Sequence, residues 1–386
     1  MNACYLVERL GPYHAARLDR AGAGGEVTVI ELNADAVTYA WSRVATKSLR
    51  FHRRAVDRLT TLETVLAESR PDAVFLNGWS DRGALRALRW CRRRGVPAVL
   101  MSDSQRHDEP RVFWKEWLKR GVLAGCAAAF VAGRRHKRYL VALGFGAKPM
   151  SLGYDVVDNE HFSRGADEAR ADAGVRAQLR LPERYFLCVS RFVPKKNLPR
   201  LLRAFAAYRR RAGADAWELV LLGDGAGRGE LQAQIARDGL EDAVHLRGFL
   251  QYNALPAYYA LAGALVLAST SEQWGLAVNE AMASGLLVLV SNVCGCAPEL
   301  VSEGVNGWTF DPRDEAALAA ALARLADPAT DRASMGLAGR RIVADWSLDR
   351  FAAGFWEAAR GAQTTTRRLW HALFCGLTLN LLLRKR

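Results

Sequence analysis

Two acidic residues beside a predicted turn form the clearest chemical pattern in the sequence. Glu272 and Glu280 are eight positions apart, and Gly275 lies between them, after the apolar run 264–268 and before a second apolar run, 286–290. This order predicts a strand, a turn, a helix and a second strand. A helix that begins at the glycine directs unpaired amides and partial positive charge outward, which suits an anion such as a pyrophosphate.

The two carboxylates suit different parts of a sugar nucleotide. Glu280 falls on the second turn of the predicted helix, where a carboxylate can accept two hydrogen bonds from the vicinal diol of a ribose. Glu272 stays in the preceding turn, from which it can reach a sugar at the far end of the phosphates. The alternative is a capped helix with two solvated acids, and this stretch alone leaves both interpretations open.

A basic turn at 190–197 follows the apolar run 185–189 and precedes a predicted helix from Leu198. In this turn, Arg191 supplies a planar fork for phosphate oxygens and Lys196 supplies a point charge. A lone basic turn can equally be a solvated loop. Because turns that follow parallel strands share one edge of a sheet, we expect this turn to lie on the same edge as the two glutamates.

Strand-like segments alternate with helical ones along most of the chain, so we predict an α/β protein with doubly wound parallel sheets. The predicted strands are 3–7, 26–32, 72–76, 96–101, 127–131, 185–189, 218–222, 244–246, 264–268, 286–290 and 308–310. A long amphipathic helix is predicted at 50–68. Ligands bind at the carboxyl ends of such strands, which singles out the turns at Gly11, 77–79 and 102–104.

Length and composition indicate a globular protein with two domains. The 386 residues exceed one ordinary core, and 50% are hydrophobic while 24% are charged. The seven cysteines are scattered and odd in number, which is typical of a reducing compartment, and no His/Cys spacing indicates zinc. The apolar start of the chain is too short for a signal peptide, so we expect a cytoplasmic protein.

Most of the net charge of +14 lies between positions 81 and 140, where the sequence has fifteen Lys/Arg and five Asp/Glu. Such a basic region attracts anionic lipid, nucleotide or nucleic acid. Nucleic acid is disfavoured, because the sequence has no zinc finger, RNA-binding signature or helix-turn-helix pattern.

Two segments could bind an anionic membrane surface. The segment 111–120 predicts a helix, and one face of it would carry Phe113, Trp114, Trp117 and Leu118. The apolar run 369–383 lies between basic residues and is shorter than the roughly 20 residues of a spanning helix, which favours an interfacial anchor. The alternatives are that the aromatic residues belong to the domain core and that the tail is a helix packed on the body.

The second half of the chain resembles the retaining glycosyltransferases of family 4. The matching segments, in the order of that family, are 190–197, 223–225, 247–249, the Glu-x7-Glu run 272–280 with 281–285, 295–299 and 304–307. The N-terminal half matches less strongly, at 133–136 and 158–162. The resemblance implies the GT-B fold, with two Rossmann-like doubly wound domains facing across a cleft.

The implied domain organisation has five parts. These are an N-terminal acceptor-side Rossmann-like domain at 1–165, a linker at 166–180, a C-terminal nucleotide-sugar-binding Rossmann-like domain at 181–346, a helix at 347–361 that crosses back to the N-terminal domain, and a basic and apolar tail at 362–386.

The resemblance also implies roles for individual residues. The catalytic residues would be Glu272, Arg191 and Lys196, and the donor-binding residues would be Gly11, Arg191, Lys196, Glu272, Trp274, Gly275, Leu276 and Glu280. Many relatives carry a histidine near the sugar, after the fourth N-domain strand, whereas the turn here reads Ser-Asp-Ser-Gln-Arg-His at 102–107, and Asp103, Arg106 or His107 could take over that role. The acceptor-side candidates are therefore His14, Asp103, Arg106 and His107. No metal and no cofactor is expected, because the sequence has no Asp-x-Asp motif.

The implied activity is retaining, metal-independent transfer of a sugar from a nucleotide-sugar donor to a glycan or lipid-linked acceptor, in cell-surface polysaccharide or glycolipid synthesis. The enzyme would work in the cytoplasm, as a peripheral protein on the inner face of the cytoplasmic membrane. One alternative is a phosphorylase-like or sucrose-synthase-like enzyme of the same fold. Another is a nucleotide- or glycan-binding protein with a decayed site, against which the intact basic and acidic residues argue.

Overall fold

The computed structural model describes residues 1–33, 40–56, 61–365 and 369–384. The chain divides into two compact units. Unit 1 comprises Met1–Val156 and Leu348–Arg386, and unit 2 comprises Val157–Ser347.

Each unit is built from alternating strands and helices. In chain order the strands are β1 (Asn2–Val7), β2 (Glu26–Glu31), β3 (His52–Ala55), β4 (Ala73–Asn77), β5 (Ala98–Ser102), β6 (Ala128–Val131), β7 (Met150–Leu152), β8 (Tyr185–Val189), β9 (Glu218–Leu222), β10 (Val244–Gly248), β11 (Ala264–Leu267), β12 (Val288–Ser291) and β13 (Gly307–Phe310). The helices are α1 (Pro12–Gly22), α2 (Leu62–Ser69), α3 (Arg82–Arg94), α4 (Phe113–Gly125), α5 (Arg134–Leu140), α6 (Asn159–Ala171), α7 (Val175–Gln178), α8 (Leu198–Ala212), α9 (Arg228–Arg237), α10 (Leu255–Leu261), α11 (Leu276–Ala283), α12 (Ala297–Leu300), α13 (Glu315–Ala326), α14 (Arg332–Ala344), α15 (Leu348–Thr364) and α16 (Leu369–Arg384). Short 3-10 turns occur at Pro194–Lys196, Gly213–Asp215 and Tyr252–Ala254, and a π-helical turn occurs at Val141–Phe145.

Unit 1 contains a seven-stranded parallel sheet in the order β3-β2-β1-β4-β5-β6-β7. Every residue of β5 and β6 is buried, as expected for parallel strands that are covered by helices on both faces. The strand order reverses direction between β1 and β4, which is where ligands bind in open α/β sheets. The turns after these two strands are therefore the edge of interest in unit 1.

Unit 2 repeats this topology with a six-stranded parallel sheet in the order β10-β9-β8-β11-β12-β13. Its core contains a cluster of large side chains that includes Phe186, Phe205, Tyr208 and Trp217. The order reverses between β8 and β11. The prediction of two Rossmann-like, doubly wound domains is confirmed.

The linker predicted at 166–180 needs correction. The chain passes from unit 1 to unit 2 at Val156–Val157, and most of the predicted linker lies in α6 and α7 of unit 2. Helix α6 packs on α10 through small residues such as Ala166 and Gly165, which lies against Pro256. Small contact residues on a helix with a polar outer face give a weak apolar signal, so the sequence pattern resembled a linker.

The long helix predicted at 50–68 is also corrected. His52–Ala55 forms the edge strand β3 beside β2, α2 begins only at Leu62, and residues 57–60 lie outside the described residues. All four residues of β3 are exposed, and Arg53 forms an ion pair with Glu31 on β2. An exposed polar edge strand has no alternating apolar pattern, which explains the wrong prediction.

The last two helices belong to unit 1. Helix α15 packs against α1, β6 and β7, and the Trp356 indole donates a hydrogen bond to the Ala21 carbonyl at 2.8 Å. Helix α16 packs against α4 and α3, so the tail is a helix on the body of unit 1, which was the alternative interpretation of its sequence. Within the described parts of the chain, no helix is long and apolar enough to cross a membrane.

Candidate active site

The candidate site in unit 2 lies where the strand order reverses. Strands β8 and β11 are neighbours, so the turns that follow them, 190–197 and 268–275, start at the same edge of the sheet. The Thr270 amide donates a hydrogen bond to the Lys195 carbonyl at 2.9 Å, which joins the two turns directly. The predicted proximity of the basic turn to the first glutamate is confirmed.

Asn197 fixes the geometry of the basic turn. Its backbone is left-handed, with φ of 59°, and its buried side-chain amide donates to the carbonyls of Ala268 at 3.0 Å and Pro312 at 2.9 Å. Asparagine tolerates this backbone conformation better than most residues. The end of the basic turn is therefore held between β11 and the segment after β13.

Lys196 and Glu272 contact each other across the two turns. The ammonium donates to the carboxylate oxygen Oε2, and each side chain is only 12% exposed. The Ser269 hydroxyl donates to the same oxygen at 2.9 Å. Two of the three residues predicted to be catalytic thus form one charge-assisted network at the edge of the sheet.

Arg191 lies on the same turn as Lys196 and is half-buried. Its neighbour Phe192 is buried beneath the Gly-Asp-Gly turn at 223–225, and the Phe192 amide donates to the Asp224 carbonyl at 2.8 Å. Gly223 has φ of 129°, and a Cβ there would lie 1.8 Å from the Ser190 carbonyl oxygen. The Gly-Asp-Gly motif therefore supports the shape of the basic turn, because only glycine permits this close approach.

Gly275 sets the start of α11. It is left-handed, with φ of 106°, and a Cβ there would meet the Leu267 side chain at 3.1 Å. No side chain caps the helix. Within its first turn the Val278 amide donates to the Gly275 carbonyl at 2.9 Å, and the amides at the very start of the helix, including that of Leu276, point outward as at any helix N-terminus. The turn and helix predicted from the sequence are confirmed, and this helix end can bind an anion.

Glu280 lies on the second turn of α11 and is buried. The Tyr259 hydroxyl donates to its Oε2 at 2.6 Å. A buried carboxylate needs hydrogen-bond donors, and the hydroxyls of a ligand could add to this one. The structure thus places Glu280 on the helix whose start has no side-chain cap, with a partner different from that of Glu272.

Trp274 connects the turn to α11. Its indole nitrogen donates to the Asn279 side-chain oxygen at 2.9 Å, and its ring lies 4.8 Å from that of Trp346. Asn279 is fully buried, and its side-chain nitrogen has no hydrogen-bond partner among the described residues. The Trp274 carbonyl accepts from the Cys296 amide at 3.1 Å, so this turn is held from both sides.

Sequence reasoning missed three site residues, Ser269, Tyr259 and Asn279. Ser269 lies two residues after the end of β11, so its position near the strand end was a usable signal. Asn279 is a polar residue between buried positions of a predicted helix, which was a second signal. Tyr259 is 21 residues from Glu280 and reaches it only through the tertiary fold.

Cys188 lies near the Lys196–Glu272 pair. Burial raises the pKa of its thiol to about 11, an effect that Lys196 opposes. The thiol is therefore protonated at neutral pH and is a poor nucleophile.

The acceptor-side candidates lie in unit 1. The Gly11 amide donates to His14 Nδ1 at 3.4 Å. Burial, with the nearby Arg17, lowers the pKa of His14 to about 3, so its imidazole is neutral. Gly11 has φ of −105°, and a Cβ there would make only ordinary contacts with Trp41 and His14.

The other three acceptor-side candidates follow β5. Asp103 is half-buried and close enough to Tyr5 to help raise the pKa of its hydroxyl to about 12, for which burial is the main cause. Arg106 and His107 are exposed. Their loop is held by Arg111, whose guanidinium donates to the Arg106 carbonyl at 2.6 Å. Across the described ranges, no group of three or more His, Cys, Asp or Glu residues could hold a metal ion.

Comparisons with solved structures place both units in the GT-B fold class. Sucrose-phosphate synthase from Thermosynechococcus elongatus superimposes with a TM-score of 0.73 at 20% identity, over 93% of this chain and 98% of that protein. The Anabaena protein HepE in complex with UDP superimposes with a TM-score of 0.73 at 17% identity, over 92% of this chain and 99% of that one. At these identities the similarity establishes the fold alone.

Sequence comparisons point to the same class. Residues 175–342 match the family model for glycosyl transferases group 1. A GDP-mannose-dependent alpha-(1-6)-phosphatidylinositol monomannoside mannosyltransferase of Mycobacterium tuberculosis is 34% identical over 60% of this chain. That alignment covers 61% of the relative. The amylovoran biosynthesis glycosyltransferase AmsK of Erwinia amylovora is 29% identical over 72% of this chain and 68% of its own length.

Proposed function

We propose that the chain is a nucleotide-sugar-dependent, retaining glycosyltransferase of family 4 with a Glu-x7-Glu site. It would transfer a sugar to a glycan or lipid-linked acceptor in cell-surface polysaccharide or glycolipid synthesis. The observation that carries this proposal is the contact between Lys196 and Glu272 beside the uncapped start of α11. The family-model match over the same region and the names of the relatives support it.

The chemistry of transfer suits these groups. Breaking the bond between the anomeric carbon and the phosphate oxygen develops negative charge on the leaving diphosphate, which Arg191, Lys196 and the amides of α11 would stabilise. A phosphate oxygen that binds Lys196 would replace Glu272 as its partner. The carboxylate of Glu272 could then accept hydrogen bonds from the sugar, while Glu280 holds the ribose hydroxyls.

Retention and metal independence are further parts of the proposal. As the resemblance to family 4 implies, the departing phosphate would accept the proton of the acceptor on the same face of the sugar, whereas a double displacement would need a carboxylate beneath the anomeric carbon. The basic turn and the helix amides would replace a divalent ion. We also propose a cytoplasmic, peripheral location at the inner face of the membrane, with anionic lipid as a partner and no nucleic acid.

Donor binding and product analysis test the proposal. GDP-mannose and UDP-glucose are the first donors to screen, because relatives and fold neighbours are described with these nucleotides. A donor at 100 times its dissociation constant should raise the free energy of unfolding by about 2.7 kcal/mol. No stabilisation by any nucleotide sugar would contradict the proposal, and sugar 1-phosphate or sucrose as the product would favour the alternative enzymes.

The stereochemistry and the metal requirement need separate measurements. We expect full activity in excess EDTA and a product that keeps the anomeric configuration of the donor, measured by NMR of the anomeric proton. An inverted product would overturn the family assignment, whereas loss of activity in EDTA with rescue by Mg²⁺ would overturn only metal independence.

A further inference from the structure

Helix α16 is apolar on two opposite faces. Its inner face carries Cys375, Thr378 and Leu379, which are buried against α4 and α3. Its outer face carries Leu373, Leu377 and Leu381, which recur every four residues and are exposed, with Leu377 67% exposed. A surface helix normally places charged residues on its outer face, so these exposed leucines indicate an interaction surface.

Helices α4 and α16 form one packed body, here named the α4–α16 plate. A Cβ at Gly121 would lie 1.9 Å from the Thr378 hydroxyl oxygen, and a Cβ at Gly125 would lie 2.4 Å from the Cys375 sulfur. Two glycines one turn apart thus let the helices approach closely. Arg92 of α3 donates to the Ala372 carbonyl at 2.5 Å and holds the start of α16 from beneath.

The exposed apolar surface continues from α16 onto α4. The ring of Trp117 packs edge-on against Phe374, with centroids 5.1 Å apart. Towards the start of α4, Trp114 is exposed and Phe113 is 86% exposed. The sequence-based alternative that these aromatic residues belong to the core is wrong for these three aromatic side chains of α4. The plate therefore presents large aromatic and aliphatic side chains to the solvent on both of its helices.

The charges around this surface are positive. Lys115, Arg120 and Arg384 are exposed on the two helices, and the Lys115 ammonium lies 5.8 Å from the centroid of the Trp114 ring. The acidic residue on the plate is Glu116, which forms ion pairs with Lys119 and Arg111 at 3.0 and 3.3 Å. An apolar face with unopposed cations at its rim is complementary to a bilayer that contains anionic lipid.

We propose that the α4–α16 plate is a membrane-docking surface that lies flat on an anionic bilayer. Phe113, Trp114 and the outer leucines would enter the boundary between headgroups and acyl chains, while the cations meet lipid phosphates. This proposal rests on the membrane partner proposed above and identifies the surface that would contact it. Binding to lipid can be measured without glycosyl transfer. Failure of vesicle binding would therefore remove the proposed membrane location as well, but it would leave the proposed glycosyl transfer, which donor binding and product analysis test, intact.

The test is sedimentation of the full-length protein with phosphatidylcholine vesicles and with vesicles that also contain phosphatidylglycerol. We expect binding to the anionic vesicles only, and the double variant Phe113→Ser/Leu377→Ser should lose at least about tenfold in partitioning, or about 1.4 kcal/mol. Leu337→Ser is the matched control, because Leu337 is 53% exposed in unit 2. It should bind as the unaltered protein does.

Charge is tested in a second pair of variants. Lys115→Glu/Arg120→Glu should weaken binding to anionic vesicles, whereas Arg210→Glu/Arg211→Glu changes the same net charge at exposed positions of α8 and should have less effect. Binding should also fall as salt rises, because the screening length shortens from about 10 Å at 0.1 M to about 3 Å at 1 M.

Point variants are preferable to deletion of α16, because deletion would uncover the inner face of α4 at Gly121 and Gly125. Equal vesicle binding by the Phe113/Leu377 variant and the Leu337 control would overturn the proposal. So would a dimer in solution that Leu377→Ser converts to a monomer without a change in lipid binding, because a second copy would then be the occupant. Unchanged circular dichroism of each variant shows that the fold is retained.

Discussion

The two units share one strand order, but they differ in whether the candidate side chains at the edge of the sheet contact one another. At the edge of unit 2, residues from two turns contact each other, as Lys196, Glu272 and Ser269 do. In unit 1, the acceptor-side candidates at the corresponding edge each have different neighbours. His14 caps α1 and Asp103 lies near buried tyrosines. Arg106 and His107 are exposed.

Under the proposed function, this difference would separate a donor-binding unit from an acceptor-binding one. A diphosphate and a ribose present the same groups in every such donor, so the preorganised network in unit 2 would reduce the cost of ordering side chains if the donor binds there. Acceptors vary, and loops on a rigid scaffold accommodate such variation. The family-model match at 175–342 lies entirely within unit 2.

Removal of the charge at residue 196 should have the largest effect. Lys196→Met removes the cation from the proposed diphosphate site, and kcat/KM should fall about 100- to 1000-fold, as for loss of one hydrogen-bond donor to developing charge. Lys195→Met is the control, because the Lys195 carbonyl that joins the two turns is a backbone group. Steady-state kinetics with the identified donor measure both, and equal losses in the two variants would contradict the specific role of Lys196.

A change at Glu280 should weaken nucleotide binding less strongly. Glu280→Gln keeps an acceptor for the Tyr259 hydroxyl but removes the charge, so nucleotide affinity should fall by about 1.5–3 kcal/mol. Asp103→Asn in unit 1 should leave nucleotide affinity unchanged. Calorimetric titration of the nucleoside diphosphate compares the two variants, and a larger loss from Asp103→Asn would reverse the assignment of donor and acceptor sides.

We expect the Trp274 side chain to affect the same site only by positioning the turn before α11, through its hydrogen bond to Asn279. Trp274→Phe removes the hydrogen bond to Asn279 while keeping an aromatic ring beside Trp346, and it should reduce kcat by about fivefold, or about 1 kcal/mol. Nucleotide affinity should change by less than about twofold, because the diphosphate groups remain. Asn279→Ala should reproduce this split between kcat and affinity, whereas a uniform loss of both would indicate general destabilisation.

His14 should affect stability more than catalysis. Its pKa is lowered to about 3 in the folded chain, whereas an unfolded histidine titrates near about 6.5. Between these values the unfolded state binds a proton that the folded state does not, so the free energy of unfolding falls as pH decreases. Denaturant titrations from pH 7 to pH 4 should show a shallower pH dependence for His14→Gln, and an unchanged slope would contradict the lowered pKa.

Much of the fold and of the candidate site could be predicted from the sequence because those signals are local. Apolar runs bounded by turns gave most strands of both sheets, and Gly275 marked the start of α11 because only glycine tolerates that backbone. The edge strand β3 and helix α6 were missed because their residues lack a continuous apolar pattern.

The partners of the site residues were decided by the tertiary structure. The hydroxyl that meets Glu280 comes from Tyr259, and the cation that meets Glu272 comes from a turn 76 residues earlier, so neither pairing leaves a short-range signal. Similarly, the composition of 369–383 predicted an apolar helix, but only packing against Gly121 and Gly125 decided which leucines face inward and which remain exposed. Local sequence fixes backbone conformation through sterics and hydrophobic periodicity, whereas side-chain partners depend on which distant segments the completed sheets and helices bring together.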